Sequence, residues 1–223
     1  YVMPLPFRTK FGLKYFYQPT FCQQLGIFPA APKHIQEVFS IQLQKSSRFI
    51  QISSNAQINI DSFKTFEINI KPNLVLNLNS SYENLKAAYS KNTRRNISKA
   101  KKHRVVVLKG LNPFDFIKTK KQEVKGKVEN ETFSTLNKII SRASSDGSGF
   151  IYAAYSPFNT LCAGVFFLRS GNKIIYLNAF STGEGKENSA MFLIVDQFIR
   201  EHCNTNVILD FEGSSIEGVA RFY

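Results

Sequence analysis

Tyr89-Ser-Lys-Asn-Thr-Arg-Arg-Asn-Ile-Ser-Lys-Ala-Lys-Lys-His-Arg104 is the stretch that organises this chain of 223 residues. Apolar residues recur at helical spacing through this stretch and the turn before it (Leu85, Tyr89, Ile97 and Ala100), which predicts an amphipathic helix near 82–103. Strand-like segments stand on both sides of this helix. We therefore expect the helix to end one α/β domain and to link it to a second.

The same segment holds the excess positive charge of the chain. Residues 1–115 contain 17 Lys and Arg against 5 Asp and Glu, whereas residues 116–223 contain 12 against 11. The first part has a net charge of +12 and the second +1. Charge this local favours an anionic partner, and we predict that Arg94, Arg95 and Lys99 bind phosphate. The alternative is an ordinary solvated helix face.

Length and composition limit the classes of protein. A chain of this length forms one large domain or two small ones. No apolar run approaches the roughly 20 residues that cross a bilayer, so no stable membrane insertion is expected. Three scattered cysteines favour reduced thiols and a cytoplasmic location. The chain starts without Met and stops inside an apparent helix at Tyr223, so we expect both ends to be truncated.

One order of elements occurs twice. The first copy is predicted as strands at 2–7 and 13–17, a helix near 33–44 and a strand at 49–53; the second as strands at 163–168 and 174–178, a helix at 189–202 and a strand at 207–211. Between them we expect strands at 74–78, 105–109 and 150–155, and one or two helices in 113–143. The alternation predicts an α/β fold with mixed sheets and two domains, 1–104 and 105–223.

A glycine-bearing loop, Ser181-Thr-Gly-Glu-Gly-Lys-Glu-Asn-Ser189, precedes the helix of the second copy. Gly183 and Gly185 allow backbone N–H groups to turn towards an anion, and Lys186 adds charge. The loop is neither a Walker loop nor a dinucleotide fingerprint. A plain strand-to-helix turn explains it equally without a ligand.

Two carboxylates stand at the end of the last strand. Asp210 and Glu212 alternate with apolar residues, and such an edge is where α/β proteins place working groups. Both are candidate catalytic residues. The alternative is that Glu212 caps the following Gly-Ser turn or pairs with a lysine. The histidines are scattered, and no residue spacing indicates a metal site or a serine or cysteine nucleophile.

The order of strands, glycine-bearing loop and helix resembles the acyltransferase fold of the GNAT superfamily. The tandem arrangement, with the basic segment 91–100, looks like its FemABX branch, peptidyltransferases that use aminoacyl-tRNA to extend a peptidoglycan precursor. Three blocks, Met3-Pro-Leu-Pro6, Gln23-Gln-Leu-Gly26 and Asp210-Phe-Glu-Gly-Ser214, resemble FemABX-like proteins of Bacteroidetes-type bacteria. The resemblance covers nearly the whole chain.

The resemblance implies direct attack of an amine on an activated acyl group, without a covalent enzyme intermediate. It places donor phosphates at Gly183, Gly185 and Lys186, a diphosphate contact at Arg94 and a general acid at about Tyr223. It implies acyl-coenzyme A or aminoacyl-tRNA as donor and no metal. The loop departs from the coenzyme-A-binding spacing, and no coiled-coil insertion for tRNA occurs between the domains.

The sequence thus predicts an N-acyltransferase. Two alternatives remain open at this point. The basic first half, with aromatic residues interleaved, is compatible with a non-catalytic RNA- or tRNA-binding module. A degenerate GNAT scaffold that binds neither donor nor RNA is the other.

Overall fold

A computed structural model describes residues 1–124, 126 and 128–212 of the chain. It divides into two compact units, Tyr1–Lys71 and Pro72–Tyr223. This boundary lies earlier than the one that we predicted after residue 104. The reason is that the basic helix buries Ile97 and Ala100 in the core of the second unit, so it does not close the first.

The first unit combines a three-stranded sheet with one long helix. Strand β1 (Phe7–Lys10) pairs antiparallel with β2 (Leu13–Tyr17), and β2 pairs parallel with β3 (Phe49–Gln51). Helix α1 (Lys33–Ser46) joins β2 to β3, and a single 3₁₀ turn follows at Ile60–Phe63. Its core is built around Ile27, Leu43 and Phe63.

Gln36 is a buried polar residue of this unit with three hydrogen bonds from its side chain. Its Nε2 donates to the carbonyl oxygens of Ala31, at 2.8 Å, and Gln57, at 3.1 Å, and its Oε1 accepts from the N–H of Asn59 at 2.7 Å. The amide is therefore fully used, as burial of a polar side chain requires. These hydrogen bonds connect α1 to the segment before it, at Ala31, and to the loop that contains Gln57 and Asn59.

The second unit is built on a six-stranded mixed sheet. Its strands are β4 (Val75–Asn77), β5 (Val106–Lys109), β6 (Gly149–Tyr155), β7 (Leu161–Ser170), β8 (Lys173–Ser181) and β9 (Ile208–Asp210). Its helices are α2 (Tyr82–Ala87), α3 (Lys91–Lys102), α4 (Pro113–Glu123), α5 (Asn130–Ser145), α6 (Gly183–Glu187) and α7 (Ala190–His202). The strand order is β4-β9-β8-β7-β6-β5, and only β8 and β9 pair in parallel. The predicted α/β class with mixed sheets is confirmed.

Helices cover both faces of this sheet. Adjacent residues of each strand point to opposite sides, so the strands offer side chains for packing on both faces. On one face the ring of Phe167 stacks on Phe198 of α7 at 4.2 Å. On the other, Phe116 of α4 meets Phe180 of β8 edge to face at 5.1 Å. Helices α3 and α7 thus lie on one side and α4 and α5 on the other.

The predicted order of elements does occur twice. The series β1-β2-α1-β3 runs strand, strand, helix, strand, with β1 at Phe7–Lys10 and not at the predicted 2–7; the series β7-β8-α6-α7-β9 has the same order with the short helix α6 added before α7. In both, the first two strands pair antiparallel and the last pairs parallel with the second. Duplication of one unit remains a prediction, since shared pairing describes arrangement and not descent.

The helix that we predicted over 82–103 is two helices, because Tyr89 turns into the core. Its hydroxyl donates to Asp196 Oδ1 of α7 at 3.2 Å, beside that of Tyr82 at 2.8 Å. Ser90 then starts α3 as an N-cap, its Oγ accepting from the N–H of Thr93 at 3.0 Å. Burial and the negative charge of Asp196 raise the pKa of Tyr89, which keeps its hydroxyl a donor.

None of the described helices is both long enough and apolar enough to span a membrane. The three cysteines are free thiols; Cys162 is buried, and Cys22 and Cys203 are partly exposed. Within the described ranges no cluster of His, Cys, Asp and Glu is suited to hold a metal ion. The expectation of a metal-free protein stays a prediction.

We expect Asp196→Ala to destabilise the second unit by about 2–4 kcal/mol, because it leaves two tyrosine hydroxyls without their acceptor. Chemical denaturation followed by circular dichroism measures the change. Gln197→Ala is the matched control on the same helix, since it removes only an exposed hydrogen bond to Glu201. Equal midpoints for the two variants would contradict the role of Asp196.

Candidate functional site

The basic face of α3 is fully available to solvent. Helix α3 buries Thr93, Ile97 and Ala100 against the second unit and exposes its cationic side chains, as predicted. An open depression of about 620 Å³ runs along it. The residues that line it are Lys91, Asn92, Arg94, Arg95, Asn96, Ser98, Lys99, Lys102 and His103. In the described part of the chain, one acid pairs with this helix: Asp196, 3.9 Å from Lys101 Nζ.

A hydrogen bond ties this face to the start of α7. The Oγ of Ser189 donates to Oδ1 of Asn96 on α3 at 2.8 Å. Ser189 has the left-handed φ of 56° and directly precedes α7. Because α6 ends at Glu187 and Ser189 contacts Asn96, the predicted donor loop lies near α3, the helix whose cations are predicted to bind phosphate.

The predicted donor loop is the short helix α6. Thr182 caps it, its Oγ1 accepting from the N–H of Gly185 at 3.0 Å. A Cβ on Gly185 would lie 2.1 Å from the carbonyl oxygen of Cys162, whereas one on Gly183 would meet nothing within 4 Å. Close packing against β7 therefore accounts for Gly185. Lys186 is exposed.

Strands β8 and β9 form a fork. Their parallel ladder covers Lys173–Ile175 of β8 and ends at Asp210, while β8 continues to Ser181. No described strand pairs with that side of β8 beyond the ladder. At the base of the fork, the rings of Tyr176 and Phe211 lie 5.9 Å apart. Such a crevice at the carboxyl ends of parallel strands is a common ligand position.

Glu212 stands at this fork. It follows β9 in the left-handed conformation, with φ of 61°, and its N–H donates to Asp210 Oδ1 at 2.8 Å. Partial burial, assisted by the charge of Asp210, raises the pKa of Glu212 to about 7. A carboxyl group with this pKa exchanges a proton readily at neutral pH, which suits a general base.

Asp210 has a different environment from Glu212. It is fully buried and forms a 3.0 Å ion pair with Lys173 Nζ. With one oxygen on that lysine and the other on the backbone of Glu212, it is placed to orient Glu212. The predicted alternation of the two carboxylates in one strand does not apply, because the strand ends at Asp210.

The structure brings some predicted residues together and not others. The α3 cations and the α6 loop are linked through Asn96 and Ser189. No contact among the described residues joins Glu212 to this group. Tyr223, predicted as a general acid, lies outside the described residues.

Lys120 is the residue that sequence reasoning missed. Its Nζ donates to the carbonyl oxygen of Ala179 on β8 at 2.5 Å. A signal was present, because Lys120 follows the buried Phe116 by four residues and so shares its helix face.

No protein-family model matches the chain, and no curated protein matches it in sequence. Solved structures do match. FemX superposes with a TM-score of 0.62 over 94% of this chain and 75% of its own, at 12% sequence identity. The chain has the fold of FemX.

Two further structures share this fold. L-PGS from Bacillus licheniformis matches with a TM-score of 0.54 at 10% identity, over 95% of this chain and 66% of its own. A conserved protein of unknown function from Bacteroides thetaiotaomicron matches with a TM-score of 0.53 at 10% identity, over 93% of this chain and 73% of its own. At such low identities, the likeness to FemX establishes the fold alone. Any argument about chemistry has to come from the residues of the candidate site.

We expect Gly185→Ala to lower the stability of the second unit by about 1–3 kcal/mol, because the added methyl group meets a backbone oxygen that cannot move aside. Gly183→Ala is the control, and open space there should leave stability within about 0.5 kcal/mol of the parent. Thermal denaturation followed by circular dichroism compares them. A stable Gly185→Ala protein would show that packing does not require this glycine.

Proposed function

We propose that the protein is an N-acyltransferase that moves an acyl or aminoacyl group to an amine. The observation that carries this proposal is Glu212, a carboxyl group with a pKa of about 7 at the fork of β8 and β9. Such a group supports acyl transfer to an amine, since an amine must lose a proton as it becomes an amide and a general base with this pKa can accept it.

The proposed reaction is a direct displacement. The amine nitrogen attacks the acyl carbonyl carbon, and the new C–N bond forms as Glu212 takes a proton from nitrogen. The bond from the acyl carbon to the sulfur or oxygen of the donor then breaks, and the proton held by Glu212 passes to the leaving group, which returns Glu212 to its carboxylate form. Asp210 positions Glu212 through its backbone N–H.

The basic face of α3 supports a phosphate-bearing substrate. Arg94 and Arg95 are exposed, and their guanidinium groups can each hold two phosphate oxygens. Both donor classes that the family resemblance implies, acyl-coenzyme A and aminoacyl-tRNA, carry phosphates. The fold shared with FemX is compatible with either.

A direct test measures donor binding and donor consumption. The protein is titrated by calorimetry with acetyl-coenzyme A and, separately, with aminoacyl-tRNA. Loss of each donor is then followed with a panel of amines: lysine, a glycine peptide and an amino sugar. Saturable binding and amine-dependent loss of one donor support the proposal. Binding of tRNA without loss of the donor would favour an RNA-binding module. Binding of neither acetyl-coenzyme A nor tRNA would favour a degenerate scaffold.

We expect Glu212→Gln to abolish most turnover while donor affinity stays within about twofold, because the amide cannot accept the proton. In the parent, burial favours the neutral carboxyl group, so Glu212 is largely protonated and inactive at pH 6. Activity should therefore rise as pH increases through about 7. Initial rates from pH 5.5 to 8.5 give the profile.

Glu83→Gln serves as the matched control for this substitution. Glu83 is an exposed carboxylate on α2 and should retain the parental rate and profile. If the Glu212→Gln protein still loses activity at low pH as the parent does, the group that titrates must be a different residue.

We expect the double variant Arg94→Ala/Arg95→Ala to bind tRNA or another polyanion more weakly and with less salt dependence. Each lost phosphate contact lowers the slope of log affinity against log salt by about 0.7–0.9. Fluorescence anisotropy with labelled tRNA at several salt concentrations measures both. Lys33→Ala/Lys45→Ala on α1 removes the same charge from the first unit and should keep the parental slope. Equal losses in the two variants would mean that net charge, not the α3 face, attracts the ligand.

A further inference from the structure

The hairpin of β1 and β2 ends in an exposed aromatic turn. Phe11 and Gly12 form this turn, with φ of 52° and 76°, and Phe11 is 91% exposed. Positive φ at both residues is the pattern of the two-residue hairpin turn for which Asn-Gly and Asp-Gly are favoured. A bulky residue is strained in this conformation. Neither conformation nor burial therefore favours a phenylalanine here, which points to a contact with something outside the chain.

The exposed apolar area continues from the turn onto one face of the sheet. Phe16, which is buried, lies opposite Ile50, which packs on the core of the first unit. Since neighbouring residues of a strand alternate between faces, Tyr15 and its partner Phe49 lie on the other face, together with Leu13. Leu13 and Phe49 are each 59% exposed. This exposed area, here termed the tip surface, consists of Phe11, Leu13 and Phe49.

Basic side chains surround the tip surface. Lys10 lies directly opposite Leu13, and its Nζ stands 5.5 Å from the centre of the Phe11 ring. Lys14 is exposed, as is Arg48 just before β3. Residues 1–71 contain 8 Lys and Arg against 3 Asp and Glu, a net charge of +5. No ion pair among the described residues includes any of these three basic side chains, so their charge is left for a partner.

An anionic bilayer offers matching groups for both parts of this surface. Its lipid phosphates attract basic side chains, and its headgroup layer accepts aromatic and aliphatic side chains just below them. A convex hairpin tip reaches such a layer without any groove on the protein. A second copy of the chain fits less well, because it would bring the cations of two tips together at a cost in free energy.

Single-stranded RNA also fits this surface less well than a bilayer does. Bases stack on the open faces of aromatic rings. Here Lys10 stands over the ring of Phe11, and Lys14 Nζ lies 4.4 Å from the centre of the Phe7 ring. Leu13 offers no ring at all. The combination of covered rings, an aliphatic side chain and free cations favours lipid.

We propose that the tip surface docks the protein on a bilayer that contains anionic phospholipid. Phe11 enters the headgroup layer with Leu13 and Phe49 beside it, and the surrounding basic side chains bind lipid phosphates. The protein then lies on the membrane surface and does not span the bilayer. This docking is independent of the proposed function, because it uses none of the residues that are assigned to acyl transfer.

A tryptophan reporter tests which part of the protein meets the membrane. The chain contains no tryptophan, so Phe11→Trp gives a single emitter at the tip. Vesicles of phosphatidylcholine with phosphatidylglycerol should shift its emission to shorter wavelength, and brominated lipids should quench it, because the ring leaves water. Phe158→Trp is the matched control, since Phe158 is 87% exposed between β6 and β7 of the second unit. Its emission should not change.

Flotation of the full chain with the same vesicles measures affinity. Phe11→Asn should weaken binding about tenfold, because it removes the apolar ring, while the melting temperature stays equal or rises, because Asn suits the turn. Lys10→Gln/Lys14→Gln should weaken binding about 25-fold, at about fivefold for each basic side chain near an anionic membrane. Lys118→Gln/Lys138→Gln removes two exposed cations of the second unit and should stay within about twofold.

Three results would each overturn the proposal. One is a parent protein that does not float with vesicles containing phosphatidylglycerol. Another is an emission of Phe11→Trp that these vesicles neither shift nor quench. The third is an equal loss of affinity in Phe11→Asn and Phe158→Asn. If Phe11→Asn instead weakens the binding of labelled single-stranded RNA, or abolishes a dimer seen by analytical ultracentrifugation, while vesicle binding stays unchanged, the tip surface serves that partner and the proposal is wrong.

Discussion

The buried carboxylate of Asp196 is the group around which the helical side of the second unit is arranged. It lies in the middle of α7, 2% exposed, and accepts hydrogen bonds from two tyrosines that belong to the segment before α3. An ionised carboxylate without partners would be expensive to bury. The two tyrosine hydroxyls donate hydrogen bonds to this carboxylate. Because Tyr89 has to reach it, the chain turns there, and this turn separates α2 from α3. The orientation of the basic face of α3 follows from this contact.

The fork depends on a second buried carboxylate. Asp210 ends β9 with Lys173 on one oxygen and the N–H of Glu212 on the other. That second bond stabilises a left-handed residue directly after the strand, so β9 cannot continue along β8. The parallel ladder therefore stays short, and the edge of β8 beyond it remains open among the described residues. One carboxylate thus creates the crevice and places Glu212 beside it.

Sequence patterns predicted what depends on local spacing. The exposed cations of α3 and the buried Ile97 and Ala100 follow from helical periodicity alone. The break at Tyr89 could not be predicted, because its cause is a hydrogen bond to a residue 107 positions later. The carboxylates after β9 were found, but alternation assigned them to one face, and only the structure shows that Asp210 supports Glu212. Lys120 was overlooked although its spacing from Phe116 placed it on the buried face.

The two perturbed groups at the fork have opposite charges, and both ionised forms are disfavoured by the fold. Ionised Glu212 costs stability as pH rises from its unfolded pKa of 4.5 through about 7. Protonated Lys120 costs stability as pH falls below its ordinary value of 10.5, so that cost is present at neutral pH.

In the proposed reaction, Glu212 takes a proton from the amine nitrogen as the new C–N bond forms, and negative charge develops on the acyl oxygen. Phe211 contacts Tyr176, so Glu212 follows near that level of the fork. The bond from the N–H of Glu212 to Asp210 Oδ1 holds the residue at this position, so the buried carboxylate of Asp210 determines where the proposed base stands.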